Sequence, residues 1–310
     1  MNQANNKITV GLITYGKLTF RYLPYFLDSL YKQSHRNFSV IVFDNSEDYS
    51  KNADFIKEKY PDIKLIENKK NVGFARAYNK MIALAKSGGA KYFLALNPDM
   101  ILDEKAVEEM YKRMEGRDDL GSVSPLVYRW DFENKIKTDM IDTCGIALLP
   151  GLRFVDIAQG VKKIDENSLK KMIGPSGAAA FYRISSLDSA SISGEYFDEG
   201  MFMYKEDCDL AYRLYRAGLK SECVREAVVF HDRTASSIGG LAKIFKNRKG
   251  KSEKIREWSF LNQHIIYKKY FREQNIMNKI FVLAHGVRMF LYVILFERFL
   301  LKQYIFLFKK

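Results

Sequence analysis

Cysteine, proline, histidine and tryptophan are all scarce in this chain, with three, six, four and two copies among 310 residues. The cysteines, Cys144, Cys208 and Cys223, form an odd set without a C-x-x-C pair. That removes a disulfide framework and a zinc knuckle, and reads as reduced, cytosolic thiols. Neither the G-x-G-x-x-G spacing of a dinucleotide fold nor a Walker loop occurs, so phosphate recognition by those two routes is out. The opening MNQANNKITVGLITYG has no basic start followed by an apolar run and is expected to hold no export signal. There is no internal repeat and no low-complexity tract.

Acidic residues run short in one region only. The net charge of +13 would suggest nucleic acid if it were spread over the chain. Residues 241–310, however, hold sixteen Lys/Arg against four Asp/Glu and account for +12 of it. The rest is nearly neutral, so no nucleic-acid partner is expected. At 47% hydrophobic and 28% charged, the composition is that of an ordinary folded protein. The length suits one α/β domain with an appendage.

What the chain has in quantity is alternation. In the first 110 residues, apolar runs such as KITVGLITY, NFSVIVFDNS and KYFLALNPD rotate with amphipathic segments such as YLPYFLDSLYKQ, DFIKEKY and ARAYNKMIALAKSGG. That rotation implies a parallel sheet with helices on both faces. Ligands of such sheets sit at the carboxyl ends of the strands, which singles out Thr14 and Tyr15, Asp44 to Ser46, Asn71 to Phe74, and Asn97 to Asp99. From about 120 to 175 the pattern loosens into strands and a variable loop. It sharpens again at GPSGAAAFYR, at a helix from Glu206 to Ala217 capped by Gly218, and at a strand that delivers His231.

Several of these residues carry chemistry. Asn97, Pro98 and Asp99 follow an apolar strand, where a carboxylate can hold a divalent cation against a diphosphate, although the same tripeptide also makes a plain turn. Glu206, Asp207 and Asp209 crowd a helix start behind Tyr204. Acids there answer the helix dipole without catalysis, yet three in four residues exceed what a cap requires, and one can act as general base. His231, with Asp232 beside it, can face a metal or be merely structural. Asp44 can accept from a ribose or base, or make an Asx turn with Asn45 and Ser46. Gly73 suits a tight turn, and Arg76 on the next helix a phosphate or base contact.

In this order the elements resemble the family-two nucleotide-sugar glycosyltransferases, and within them the rhamnosyltransferase-like branch, over roughly residues 7 to 235. They are LITYG, with Gly16 where the family usually has asparagine; Asp44-Asn45-Ser46; Asn71, Gly73, Phe74, Ala75 and Asn79; Leu96 to Asp99; Gly177-Ala178; Phe197 to Glu199; Phe202 to Leu210; and His231. The resemblance implies a Rossmann-like GT-A fold with a mixed central sheet. It implies a catalytic domain over 1–240, with a nucleotide-binding half of about 7–110 and an acceptor-binding half of about 111–240, and a basic, aromatic-rich helical extension over 241–310.

The same resemblance implies a nucleotide-sugar site of Thr14, Tyr15, Asp44, Asn71, Gly73, Arg76, Asn97, Pro98 and Asp99, with Asp44 receiving the base. Mn2+ or Mg2+ would lie on Asp99 and His231 against the diphosphate. Asn97 stands where a fuller D-x-D motif has its first acid, so the metal rests on one carboxylate. Gly177, Ala178 and Tyr204 would face the acceptor, with Asp207 as general base and Glu206 orienting the hydroxyl. In-line attack would invert the anomeric configuration. The expected donor is dTDP-L-rhamnose, with UDP-linked hexoses open, and the expected acceptor a glycan or lipid-linked oligosaccharide of a cell-surface polysaccharide such as O-antigen.

In residues 276–310, His285, Arg288, Glu297, Arg298 and Lys302 interrupt any window of the ~20 apolar residues a bilayer crossing needs, so no spanning helix is expected. Cations among aromatic and aliphatic side chains suit an anionic surface. The expected location is cytoplasmic and peripheral, on the cytoplasmic face of the inner or plasma membrane. The same residues would also serve to cover the catalytic domain or to join a homodimer. Two readings compete with transfer: a non-catalytic scaffold whose basic tail binds membrane or nucleic acid, and a nucleotidyltransferase, for which LITYGKLTF offers only Gly16 and Lys17.

Overall fold

The computed structural model describes residues 7–233 and 250–309. The early apolar runs form strands β1 (Ile8–Thr14), β2 (Phe38–Asp44), β3 (Lys64–Glu67) and β4 (Tyr92–Leu96). Between them lie α1 (Gly16–Phe20), α2 (Leu23–Tyr31), α3 (Lys51–Lys59) and α4 (Gly73–Ser87). Helices cover both faces, so ITVGLIT and FSVIVFD read as continuous apolar strands rather than alternating ones. The order β3-β2-β1-β4 is parallel throughout, with Thr14 opposite Asp44, Asp44 opposite Glu67, and Leu12 opposite Leu96. All four carboxyl ends therefore open on one edge of the sheet.

The second half adds antiparallel strands, in agreement with the expected mixed sheet. It comprises β5 (Met100–Leu102), α5 (Ala106–Glu115), β6 (Leu120–Asp131), β7 (Ile136–Thr143), β8 (Ile146–Leu149), β9 (Arg153–Asp156), α6 (Glu166–Leu169), β10 (Met172–Gly174), β11 (Ala179–Arg183), α7 (Ile184–Ala190), α8 (Glu206–Arg216) and β12 (Lys220–His231). Strand β11 runs antiparallel between β4 and β6, β12 parallel to β6, and β5 antiparallel to β12 at the edge. Strands that arrive without a crossover helix pair antiparallel with a neighbour. The loosely patterned stretch from 120 to 175 supplies β7, on β6, and a separate three-stranded sheet ordered β10-β8-β9.

Two apolar layers sandwich the main sheet, one around Leu12, Phe26, Met110 and Val127, the other around Phe43, Tyr78, Phe93 and Phe197. The second described segment holds α9 (Glu253–Tyr270), α10 (Ile276–Phe296) and α11 (Leu301–Lys309). The boundary expected at residue 240 falls in 234–249, outside the described residues. Helix α9 is built onto the rest: its Ile266, Tyr267 and Tyr270 share a core with Ile146, Phe154 and Tyr212, and Gln263 donates to the Leu152 carbonyl at 2.9 Å.

Candidate active site

At the parallel edge, Thr14 Oγ1 and Ser46 Oγ each donate to Asp44 Oδ1 at 2.8 Å. Two hydroxyls on one oxygen fix this buried carboxylate at the strand end. Gly16 N donates to Ser46 Oγ at 2.9 Å, and Gly16 has φ 54°, a conformation in which asparagine is tolerated second to glycine. Tyr15 beside it is partly exposed. The Asn45 side chain accepts from Val72 N and donates to the Gly73 carbonyl, at 3.3 and 3.2 Å, and Asn71 Oδ1 accepts from Gly73 N at 3.0 Å. Gly73 has φ 81°, and a Cβ there would lie 2.3 Å from the Phe202 carbonyl oxygen. Asn71 and Gly73 thus seat this loop against Phe202, whose carbonyl accepts from Phe74 N at 2.8 Å. Arg76 is committed to Glu199, Nε to Oε2 at 2.7 Å, on an exposed flank.

Asp99 lies between β4 and β5. Because β5 pairs with β12 so that Met100 stands opposite His231, Asp99 meets a histidine far along the chain. His231 Nε2 is 3.3 Å from Asp99 Oδ1 without hydrogen-bond alignment, and that oxygen is buried with no hydrogen-bond partner. On the other side, His231 Nδ1 and Asp142 Oδ2 are 2.9 Å apart. Asp142 and Asp156 are in turn tied to Arg233, at 3.2 and 2.9 Å. Burial opposes charge on His231, but Asp99 and Asp142 prevail and lift its pKa to about 10. Burial likewise works against the Asp142 carboxylate, yet His231 and Arg233 hold it below its usual range. Sequence reasoning did not find Asp142, Asp156 or Arg233, since no motif marks them.

A divalent cation fits this pair in part. Asp99 offers a buried oxygen with no hydrogen bond, and His231, oriented from behind by Asp142, a nitrogen that would have to release its proton as the ion took its place beside Asp99. Among the described residues no group of three or more His, Cys, Asp or Glu could hold a metal by itself. Two protein donors therefore leave the rest of the coordination to phosphate oxygens and water.

Asn97 and Pro98 lead into Asp99, and the 177–178 turn joins the end of β4 to α8: Asn97 N donates to the Ala178 carbonyl at 2.9 Å, and Gly177 N to Asp207 Oδ2 at 2.9 Å. Asp207 Oδ1 also accepts from Cys208 N at 2.8 Å. Glu206 is buried, with Oε2 unpartnered. Its burial first, and the Asp207 charge second, push its pKa well above the glutamate range. Asp209 belongs to the scaffold: wholly buried, it accepts from Arg213 Nε at 2.9 Å, Lys269 Nζ at 2.6 Å and Tyr270 OH at 2.7 Å.

Tyr204 and Lys205, just before α8, have φ of 70° and 72°, a strained pair for residues with side chains. The buried Asn262 of α9 holds this turn, donating to the Met203 and Tyr204 carbonyls at 2.9 and 2.6 Å. Burial and then Glu206 raise the pKa of the Tyr204 phenol, which also feels Arg233 and Asp99.

The edge at the carboxyl ends of the parallel strands thus carries a buried carboxylate, Asp44, and the chain continues from it to an acid–histidine pair, Asp99 and His231, in an α/β protein whose ligands are expected at that edge. Residues 9–189, more than half the chain, match the family described as Glycosyl transferase family 2, and the chain belongs to that family. It is 30% identical over 131 residues to an uncharacterized glycosyltransferase of Acanthamoeba polyphaga mimivirus, covering 36% of this chain and 53% of that protein. The chain thus spans about half the length of that relative. It is 26% identical over 232 residues to the N-acetylglucosaminyl-diphospho-decaprenol L-rhamnosyltransferase of Mycobacterium tuberculosis, covering 70% of this chain and 73% of that one. In fold it is similar to the mannosyltransferase PcManGT of Pyrobaculum calidifontis, solved in complex with GDP-Man and Mn2+, with TM-score 0.53 and 15% identity over 96% of this chain and 84% of that one. The fold is the expected Rossmann-like glycosyltransferase α/β fold with a mixed sheet.

Proposed function

We propose that this protein transfers a sugar from a nucleoside-diphosphate donor to a hydroxyl of a glycan or lipid-linked acceptor, with inversion at the anomeric carbon. One observation carries the reading: the Asp99 oxygen that makes no hydrogen bond faces His231, which Asp142 orients from behind. Asp44, Thr14 and Ser46 would take the nucleoside at the strand ends. Asp99 and His231 would hold Mn2+ or Mg2+, which when bound would neutralise charge on the diphosphate. Asp207 would accept the acceptor's proton as its oxygen forms the new bond to the anomeric carbon, and the nucleoside diphosphate would leave with the electron pair of the old one. Glu206, which burial and the Asp207 charge push toward its neutral form, would donate a hydrogen bond, leaving the base to Asp207.

For the donor we favour dTDP-L-rhamnose, on the likeness to the mycobacterial rhamnosyltransferase; UDP-hexoses are the alternative. The test is release of nucleoside diphosphate from a panel of nucleotide sugars with and without Mn2+. Asp207→Asn should lower kcat by at least about a hundredfold with the donor Kd within about threefold of the native value. Full activity in that variant would overturn the assignment of the base.

A further inference from the structure

Helix α10 is fastened to the protein along its whole length. Asn278 in its first turn accepts from Gly151 N at 2.6 Å, His285 Nδ1 is hydrogen-bonded to Tyr267 OH, and Val282 and Val293 are buried. Just past its end, Glu297 is paired with Arg256 at 3.0 Å. Although α10 is long and apolar enough to cross a membrane by length and composition alone, these ties lay it flat on the domain. The charges that break the apolar run in the sequence fall mostly beyond it, at Glu297, Arg298 and Lys302, leaving Lys279, His285 and Arg288 within it.

The outward face is apolar at helical spacing. Ile276, Ile280, Leu283, Val287, Leu291 and Leu295 recur every three or four residues, each 53% to 77% exposed, a continuous stripe of a kind that water-facing helices do not carry. Its flanks are mainly basic, and Glu273, just ahead of the helix, is paired with Arg216. The one acid of residues 276–310, Glu297, is buried in its ion pair, while Arg288 and Arg298 are exposed. An open groove of about 730 Å³ between α9, α10 and α11 continues the face; Phe271, Val282, Val287 and Phe290 line it together with Lys268 and Arg272.

We infer that this face seats in the surface of an anionic phospholipid bilayer, with the stripe among the acyl chains and the flanking cations on the headgroups. The inference stands apart from the transfer reaction and does not depend on it. The full chain is to be sedimented with vesicles of phosphatidylcholine alone or mixed with phosphatidylglycerol. Binding to the mixed vesicles is expected, weakened about tenfold or more by Leu283→Glu with Leu291→Glu and by added salt. Both sites are exposed, so an unchanged thermal midpoint should accompany the loss. Val287→Trp provides a second reading, with emission moving to the blue only on the anionic vesicles. Failure to sediment with anionic vesicles, equal binding by the glutamate variant, or a lipid-free dimer by light scattering that the same variant dissociates would each overturn the inference.

Discussion

Glu206 illustrates how burial decides the chemistry of a single carboxyl. Pushed toward its neutral form in the fold by desolvation and by the Asp207 charge, it ionises freely in the unfolded chain. With the folded pKa above the unfolded one, its contribution to stability is whole below the ordinary glutamate range and is lost as pH rises toward the folded value. Glu206→Gln keeps the shape and cannot ionise. Thermal scans should show the variant gaining several degrees over the native protein at about pH 8 and little at about pH 5; an equal shift at both would refute a neutral Glu206. Gly73 is a second residue with one solution. Its φ of 81° and the 2.3 Å approach of the Phe202 carbonyl to a Cβ position predict that Gly73→Ala costs about 2 kcal/mol or more in urea unfolding. A loss of a few tenths would mean that the loop moves freely aside.

Among the elements, the α8 entrance couples packing to chemistry. The left-handed Tyr204–Lys205 pair persists because α9 supplies Asn262 to two of its carbonyls. Asn262→Ala is therefore expected to cost about 1–3 kcal/mol and to lower kcat more than it raises the donor Kd. A variant with native kcat would show that the turn holds itself.

The same elements show what could be read in the chain beforehand. Strand-end residues such as Thr14, Asp44 and Asp99 were legible because parallel strands bring all carboxyl ends to one edge. Asp142 and Asp156 were not, since the strands that carry them lie in the stretch without clear period. Asn262 looks like any polar position on an amphipathic helix until its burial is known. Asp207 and Asp209 are equivalent in sequence but point to nearly opposite sides of α8, one to the Gly177 turn and one into the contact with Lys269 and Tyr270.

At the scale of the molecule, α9 shares a core with β8, β9 and α8, and Trp258 on it packs on Phe202, the neighbour of the Gly73 turn, with ring centroids 5.0 Å apart. We expect the C-terminal helices to unfold with the rest. In a Trp130→Phe background, where Trp258 is the remaining tryptophan, the fluorescence midpoint should coincide with that of far-UV circular dichroism. An earlier fluorescence transition would mark the extension as a separate unit. The measurement that bears most directly on the central claim is thermal stability with a panel of nucleoside diphosphates and nucleotide sugars, each with and without Mn2+, on the native chain and on Asp99→Ala. A thymidine or uridine diphosphate, free or sugar-linked, should raise the midpoint, more so with Mn2+ and with that metal-dependent gain lost in the variant. If no nucleotide shifts the folded protein, the site does not serve a nucleotide sugar and the transfer reading fails.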